Sequence, residues 1–335
     1  MKHFYETTDL GDADLREVLD RAHALKESRR PSLELAGRSM SLLFFNPSLR
    51  TRVSFMRALQ DLGGLAIPLD AGKDNWKITF GDGLVMDQDG VEHIREAMGV
   101  LSRYCDFIGI RSFGEMKDFS TDREDRLIRE AMRHAKVPVV NLESANAHPC
   151  QALADLATIE QLGREKPRVV LTWVPHPKAL PLAVPQSFLL ATTRMGWDVT
   201  VAHPDGFSLD PKVVAQAKEH TARAQGTLRF TDRKDDAFDR ADVIYAKSWT
   251  SIPLYGNASE QSKLKAALGA WTVRAEDMRR TNDAAFMHCL PIRRNVEATD
   301  AVLDGPSSRI LDEAENRLHA QKAILLHLFE KGRHP

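Results

Sequence analysis

Short apolar runs rich in β-branched residues alternate along the chain with longer stretches in which apolar positions recur every three to four residues. That is the pattern of parallel strands joined by helices. The runs predict strands over 40–45, 66–69, 107–110 and 137–142 in the first half, and over 168–174, 198–203, 227–231 and 242–246 in the second. Helical periods fall over 12–26, 51–62, 91–104, 123–134, 149–162, 184–195, 211–225 and 312–330. Two similar α/β units follow, with the break in the polar connection 143–148. The terminal segment places Leu311, Ala314, Leu318, Ile324, Leu325 and Leu328 on a long amphipathic helix that must pack, crossing back to the first unit. The domains are therefore expected at 1–143, completed by the helix 312–335, and at 144–311. Residues 72–90 hold four glycines and little periodicity, a functional loop or a disordered one. Trp76 within them argues for function, because so large an aromatic seeks a partner surface.

Composition narrows the classes. Of 335 residues, 46 are Lys or Arg and 47 Asp or Glu, so no global field points to nucleic acid and any anion site is local. The start, MKHFYETTDL, lacks the apolar core of a signal peptide, and no apolar stretch spans a bilayer, so a cytoplasmic protein without membrane contact is expected. Three separated cysteines make no disulfide framework, the histidines lack zinc spacing, and no Walker loop or GxGxxG fingerprint occurs. No metal and no cofactor are expected.

The stretch FNPSLRTRVSF, residues 45–55, sets Arg50 and Arg52 beside Ser48 and Thr51 where an apolar strand gives way to a helix. Crowding cations where the helix dipole is already positive suits a doubly charged anion, held by free N–H groups, hydroxyls and guanidinium forks. Taken alone, the motif fits a solvated basic first turn better. In HPCQ, 148–151, Pro149 suits a first helical position, His148 projects from the helix mouth and Gln151 lies about one turn on. An imidazole and a primary amide in one corner grip the oxygen and nitrogen of a planar carbamoyl group; a histidine that only caps its helix is the equal alternative. In HCLPIRRN, 288–295, a cis Leu290–Pro291 bond would turn the leucine carbonyl inward. Arg111 ends a strand, where open parallel sheets meet ligand, and Arg317 sits on the terminal helix; taken singly, each of these arginines fits a surface ion-pair partner better than a ligand.

The series SLRTR, Arg111, HPCQ, HCLP and Arg317, in this order and at these separations, resembles the aspartate/ornithine carbamoyltransferase family over nearly the whole chain. The resemblance implies two doubly wound parallel-sheet domains joined by a short linker, and a homotrimer with sites shared between subunits. It assigns Ser48, Leu49, Arg50, Thr51 and Arg52 to the phosphate of carbamoyl phosphate, Arg111 and His148 with Thr51 to its carbonyl oxygen, and Gln151 with the Leu290 carbonyl to its amide nitrogen. Arg317 becomes a further anchor and Cys289 a packing residue near the substrate.

The DxxxSMG motif that binds a free α-amino group in ornithine carbamoyltransferases is absent here. PHPKAL, AKSW, PIRRN, DNW and VMDQDGVEH resemble the N-acetylornithine branch, whose substrate carries no charge on its α-nitrogen. That resemblance gives Lys247 and Arg293 to the α-carboxylate, Glu143 and His176 to the pocket, and Trp76 of a neighbouring subunit to its closure. Glu92 would repel the extra carboxylate of a succinyl group, so acetyl over succinyl is expected. One departure is NVEATD, where Glu297 replaces the branch's lysine; it either orients Arg293 and Arg294 or is a surface change. Rivals are carbamoylation of succinylornithine or of ornithine and, outside enzymes, a carbamoyl-phosphate-binding regulator.

Overall fold

A computed structural model describes residues 3–87 and 89–333. The chain folds as two units: unit 1 comprises Met1–Gly114, Thr121–Cys150 and Arg317–Pro335, and unit 2 comprises Glu115–Ser120 and Gln151–Asn316.

Unit 1 is built on four parallel strands, β1 (Ser39–Phe44), β2 (Leu65–Asp70), β5 (Phe107–Arg111) and β6 (Val139–Glu143), in the order β2-β1-β5-β6, while β3 (Ile78–Thr79) pairs separately with β4 (Glu92–His93). The strand order reverses between β1 and β5, where Phe44 faces Arg111 in register. A crevice at the carboxyl ends of such strands is where open α/β sheets bind ligand. Leu43, Ile94, Met98, Ile108, Ile110, Ile128 and Val139 form one buried cluster under the sheet.

Unit 2 repeats the device with β7 (Arg168–Trp173), β8 (Asp198–Ala202), β9 (Thr227–Thr231), β10 (Val243–Lys247) and β11 (Ala285–Met287), all parallel in the order β11-β10-β7-β8-β9. Here the reversal lies between β7 and β10, with Trp173 opposite Lys247. The helix Ala183–Thr193 has no exposed face at all, which explains why its periodicity is weak.

The structure departs from the sequence reading at four points. The 123–134 helix is two helices, Phe119–Arg123 and Arg126–His134, because Asp125 adopts a left-handed backbone, φ 51°, between them. Its carboxylate is fully used: Tyr5 Oη donates at 2.7 Å, Ser144 Oγ at 2.5 Å and Ala145 N at 3.1 Å. Those bonds, with Ser144 N to Ala147 O at 2.9 Å, fasten the turn after β6 to unit 1, so the observed division falls at 150/151 rather than in the polar connection. The helix expected from 91 begins at Ile94, because Glu92 and His93 are taken into a strand and His93 Nδ1 accepts from Arg95 N at 3.2 Å. Leu311, expected on the packed face of the terminal helix Ile310–Arg333, is exposed; Ala320, Ala323, Ile324, Leu325 and Leu328 carry the packing. Residues 317–335 of that segment belong to unit 1. Among the described residues no helix is long and apolar enough to cross a membrane.

Candidate functional site

The first group of site residues gathers at the switch point of unit 1. The chain leaves β1 through FNPS and enters the helix Leu49–Asp61 with Ser48 as its cap, Oγ accepting from Thr51 N at 3.2 Å. Capping leaves the remaining first-turn N–H groups facing the crevice, a preformed anion seat. The Leu49 side chain is exposed, so only its backbone belongs to that seat. Thr51 is wholly buried and its Oγ1 accepts from Arg317 Nη2 at 2.7 Å. Arg317 is itself buried; burial lowers its pKa, Cys150 and Glu143 oppose that, and Arg111 and Arg50 lower it further. Arg50, Arg111 and Arg317 thus feel one another across a small space, a field that calls for an anion.

Arg52 is turned differently. It pairs with the Asp70 carboxylate at the end of β2 and lies 4.5 Å from the Phe44 ring centroid. Arg111 pairs with Glu143 and lies over Phe113, whose N–H donates to Asn46 Oδ1 at 2.7 Å. His148, 3% exposed, has Nε2 3.5 Å from Glu143 Oε2. Glu143, which the resemblance gave to the amine pocket, therefore stands against the two residues expected to hold the carbamoyl oxygen. Arg111 Nε and Arg317 Nε are buried without a hydrogen-bond partner, and such atoms cost stability unless a ligand takes them up. Trp76 is 71% exposed, and Glu92 sits half-buried on β4 opposite Ile78. Gln88 lies outside the described residues.

The second group lies at the switch point of unit 2. Lys247 ends β10 and His176 follows β7. Arg293 Nε donates to His176 Nε2 at 3.0 Å, and His176 Nδ1 lies 3.1 Å from Lys178 O. Burial lowers the His176 pKa, which favours the neutral ring, and Lys178 N–H donates to Nδ1 at 3.0 Å. Lys265 donates to the same carbonyl at 2.9 Å, and burial together with Lys247 pushes its pKa down to about 8.

Glu297 is buried, not a surface change. Its Oε2 accepts from Arg293 N at 2.7 Å and its Oε1 lies 3.3 Å from His288 Nε2. Burial pushes its carboxyl up, but His288, Lys247 and the Arg293 N–H outweigh that and hold it below the usual range. Arg294 points elsewhere, to Asp300 and Asp304 at the surface. His288 Nδ1 in turn accepts from Leu290 N at 2.9 Å. Leu290 holds φ 56°, a conformation costing an L-residue about 1–2 kcal/mol, and the expected cis bond to Pro291 is present. Gln151 is buried with Nε2 donating to Asp155 Oδ1 at 2.8 Å and Glu313 Oε1 at 2.9 Å, while its Oε1 has no partner. Sequence reasoning missed Asp70, Asp155 and Glu313, since an isolated carboxylate carries no signal until its cationic or amide partner is known. Cys150 is no nucleophile, its thiol pushed up to about 12 by burial, and Cys289 is likewise buried.

Two units, each built on a doubly wound parallel sheet, define a two-domain α/β protein. Residues 2–161 match the model of the aspartate/ornithine carbamoyltransferase carbamoyl-P binding domain and residues 183–328 that of the Asp/Orn binding domain, so the chain belongs to this family. It is 44% identical over 338 residues to an N-acetylornithine carbamoyltransferase of Xanthomonas campestris pv. campestris, covering 99% of each chain. Among solved structures it is similar to an acetylornithine transcarbamylase complexed with acetylcitrulline, at TM-score 0.95 and 44% identity over 98% of this chain and 99% of that one. It is equally similar, at TM-score 0.95 and 44% identity over 98% and 100%, to the E92A mutant of N-acetyl-L-ornithine transcarbamylase complexed with carbamyl phosphate and N-succinyl-L-norvaline.

Proposed function

We propose that this chain transfers the carbamoyl group of carbamoyl phosphate to the δ-nitrogen of N2-acetyl-L-ornithine, giving N-acetyl-L-citrulline and phosphate, as a cytoplasmic step of arginine biosynthesis. The observation that carries the reading is a matched pair of ligand sets: converging guanidiniums at a capped helix start in unit 1, and Lys247 with Arg293 beside a neutral His176 in unit 2. The first suits a phosphate dianion. The second suits an α-carboxylate.

Ser48, Arg50, Thr51, Arg52 and Arg317 bind the phosphate, with the Leu49 N–H. Arg111, His148 and Thr51 take the carbamoyl oxygen, Gln151 and the Leu290 carbonyl its nitrogen. The neutral δ-amine attacks the carbonyl carbon; the carbon–nitrogen bond forms, negative charge gathers on the carbonyl oxygen, and collapse expels phosphate with the bonding electron pair. The amine's surplus proton leaves on phosphate or to water. Glu143, beside Arg111 and His148, accepts a hydrogen bond from the attacking nitrogen and so aims its lone pair. Rate enhancement then comes from orientation and from donors already fixed around the developing oxyanion.

Glu92 selects the acyl group by opposing a second carboxylate, and the succinyl analogue held by the E92A form of the relative supports this assignment. The chain works as a homotrimer in which Trp76, exposed in one subunit, closes the site of its neighbour. Equal concentrations of acetylornithine, succinylornithine and ornithine, assayed for ureido product, test the reading. Acetylornithine should be used at least about tenfold better than either rival, and Glu92→Ala should bring succinylornithine up toward it, a like-charge penalty being worth at least ~1.4 kcal/mol. Activity mainly on ornithine would end the reading.

A further inference from the structure

Gln151 presents a choice that its own side chain cannot make. A primary amide offers an oxygen on one side and a nitrogen on the other, and only the oxygen can accept from a carbamoyl N–H. Two carboxylates decide between them. Nε2 lies 2.8 Å from Asp155 Oδ1 and 2.9 Å from Glu313 Oε1, so each amide hydrogen has its own acceptor, and turning the amide over would set its oxygen against two acidic oxygens in a buried place. Glu313 is wholly buried, and its second oxygen accepts from His288 N at 2.8 Å. From His288 the connection continues, since Nδ1 of that ring takes the Leu290 N–H at 2.9 Å and fixes the turn that carries the Leu290 carbonyl.

We propose that Glu313, seconded by Asp155, is a positioning residue that sets both acceptors for the substrate's carbamoyl N–H groups: Gln151 Oε1 by orienting the amide, and the Leu290 carbonyl through His288. This inference rests on the carbamoyl phosphate reading above and adds to it. It explains why Gln151 Oε1 is buried without a partner while both amide hydrogens are satisfied. Glu313→Gln keeps the size of the side chain but replaces one acceptor by a donor, so the substituted amide must either turn Gln151 over or abandon His288 N.

The test separates the carbamoyl end of the ligand from its phosphate end. Calorimetric titrations with carbamoyl phosphate and with inorganic phosphate are run on the wild type, Glu313→Gln, Gln151→Ala and the double variant, with thermal unfolding of each. Glu313→Gln should weaken carbamoyl phosphate by about tenfold or more, the scale of a lost buried hydrogen bond, and leave inorganic phosphate within about twofold. In the Gln151→Ala background the same change should have less than half of its single-variant effect in free energy, because the group through which it chiefly acts is gone. Equal weakening of both ligands, no weakening, or full additivity in the double variant would overturn the proposal. Asp155→Asn, in which an amide likewise replaces an acceptor of Gln151 Nε2, decides the matter by the same cycle if Glu313→Gln does not fold. Tight carbamoyl phosphate binding with no carbamoylation of acetylornithine would refute the proposed reaction and still leave this cycle to judge Glu313.

Discussion

Arg50 and Arg52 are two residues apart and chemically identical, yet their neighbours give them different weight at the phosphate. Arg52 is neutralised by Asp70 and stacked on Phe44, whereas Arg50 lies in the field of Arg111 and Arg317. The sequence motif shows both cations but not the carboxylate brought in from a distant strand. Arg50→Ala should therefore abolish phosphate-competitive binding, a loss of two orders of magnitude or more for a charge-assisted pair of about 3 kcal/mol, whereas Arg52→Ala should cost less. Melting temperatures of both should stay near that of the wild type. A further residue-scale effect belongs to Lys265, whose folded pKa is depressed to about 8 by burial and by Lys247. Between about pH 8 and the ordinary lysine range near 10.4, the unfolded chain binds the extra proton, so wild-type stability should rise with pH through that window. Lys265→Met should lack the rise in denaturant unfolding measured at pH 7.5 and 9.5.

At the level of elements, the turn between β6 and the helix Pro149–Glu160 carries His148, and its shape is set by Asp125, which adjoins neither substrate-assigned group. Asp125→Ala would strip the acceptor from Tyr5 Oη, Ser144 Oγ and Ala145 N together. Unfolding free energy should fall by about 2–4 kcal/mol, since several buried donors lose their partner at once, and kcat should fall with it as His148 loses its support. Strand periodicity was readable from the chain because buried parallel strands are nearly continuous apolar runs. This break was not, because the left-handed Asp125 and its partners Tyr5 and Ser144 lie far apart in sequence. The strand Ala285–Met287 was passed over for a different reason: three residues are too few to show any period.

For the whole molecule, the two sheets share one logic, a reversal of strand order with candidate site residues at the carboxyl ends beside it. Most of the candidate site was legible as motifs, since phosphate and carbamoyl groups demand particular donors and acceptors: Ser48, Thr51, His148, Gln151 and Leu290. What the motifs did not give was Asp70, Asp155 and Glu313, the acidic partners behind Arg52 and Gln151, nor that Glu143 stands against Arg111 and His148. The exposed Trp76 belongs to this scale as well. Sedimentation velocity should give about three times the chain mass of 37.6 kDa, and Trp76→Ala should raise KM for acetylornithine severalfold without dissolving the trimer.

The central claim is a bond between the carbamoyl carbon and the δ-nitrogen of acetylornithine. Carbon-13 NMR of a reaction with labelled carbamoyl phosphate reads that bond directly. The label should move to a ureido carbon of N-acetylcitrulline, with one inorganic phosphate released for each. Label appearing only in cyanate or carbamate, while acetylornithine is recovered unchanged, would contradict the account.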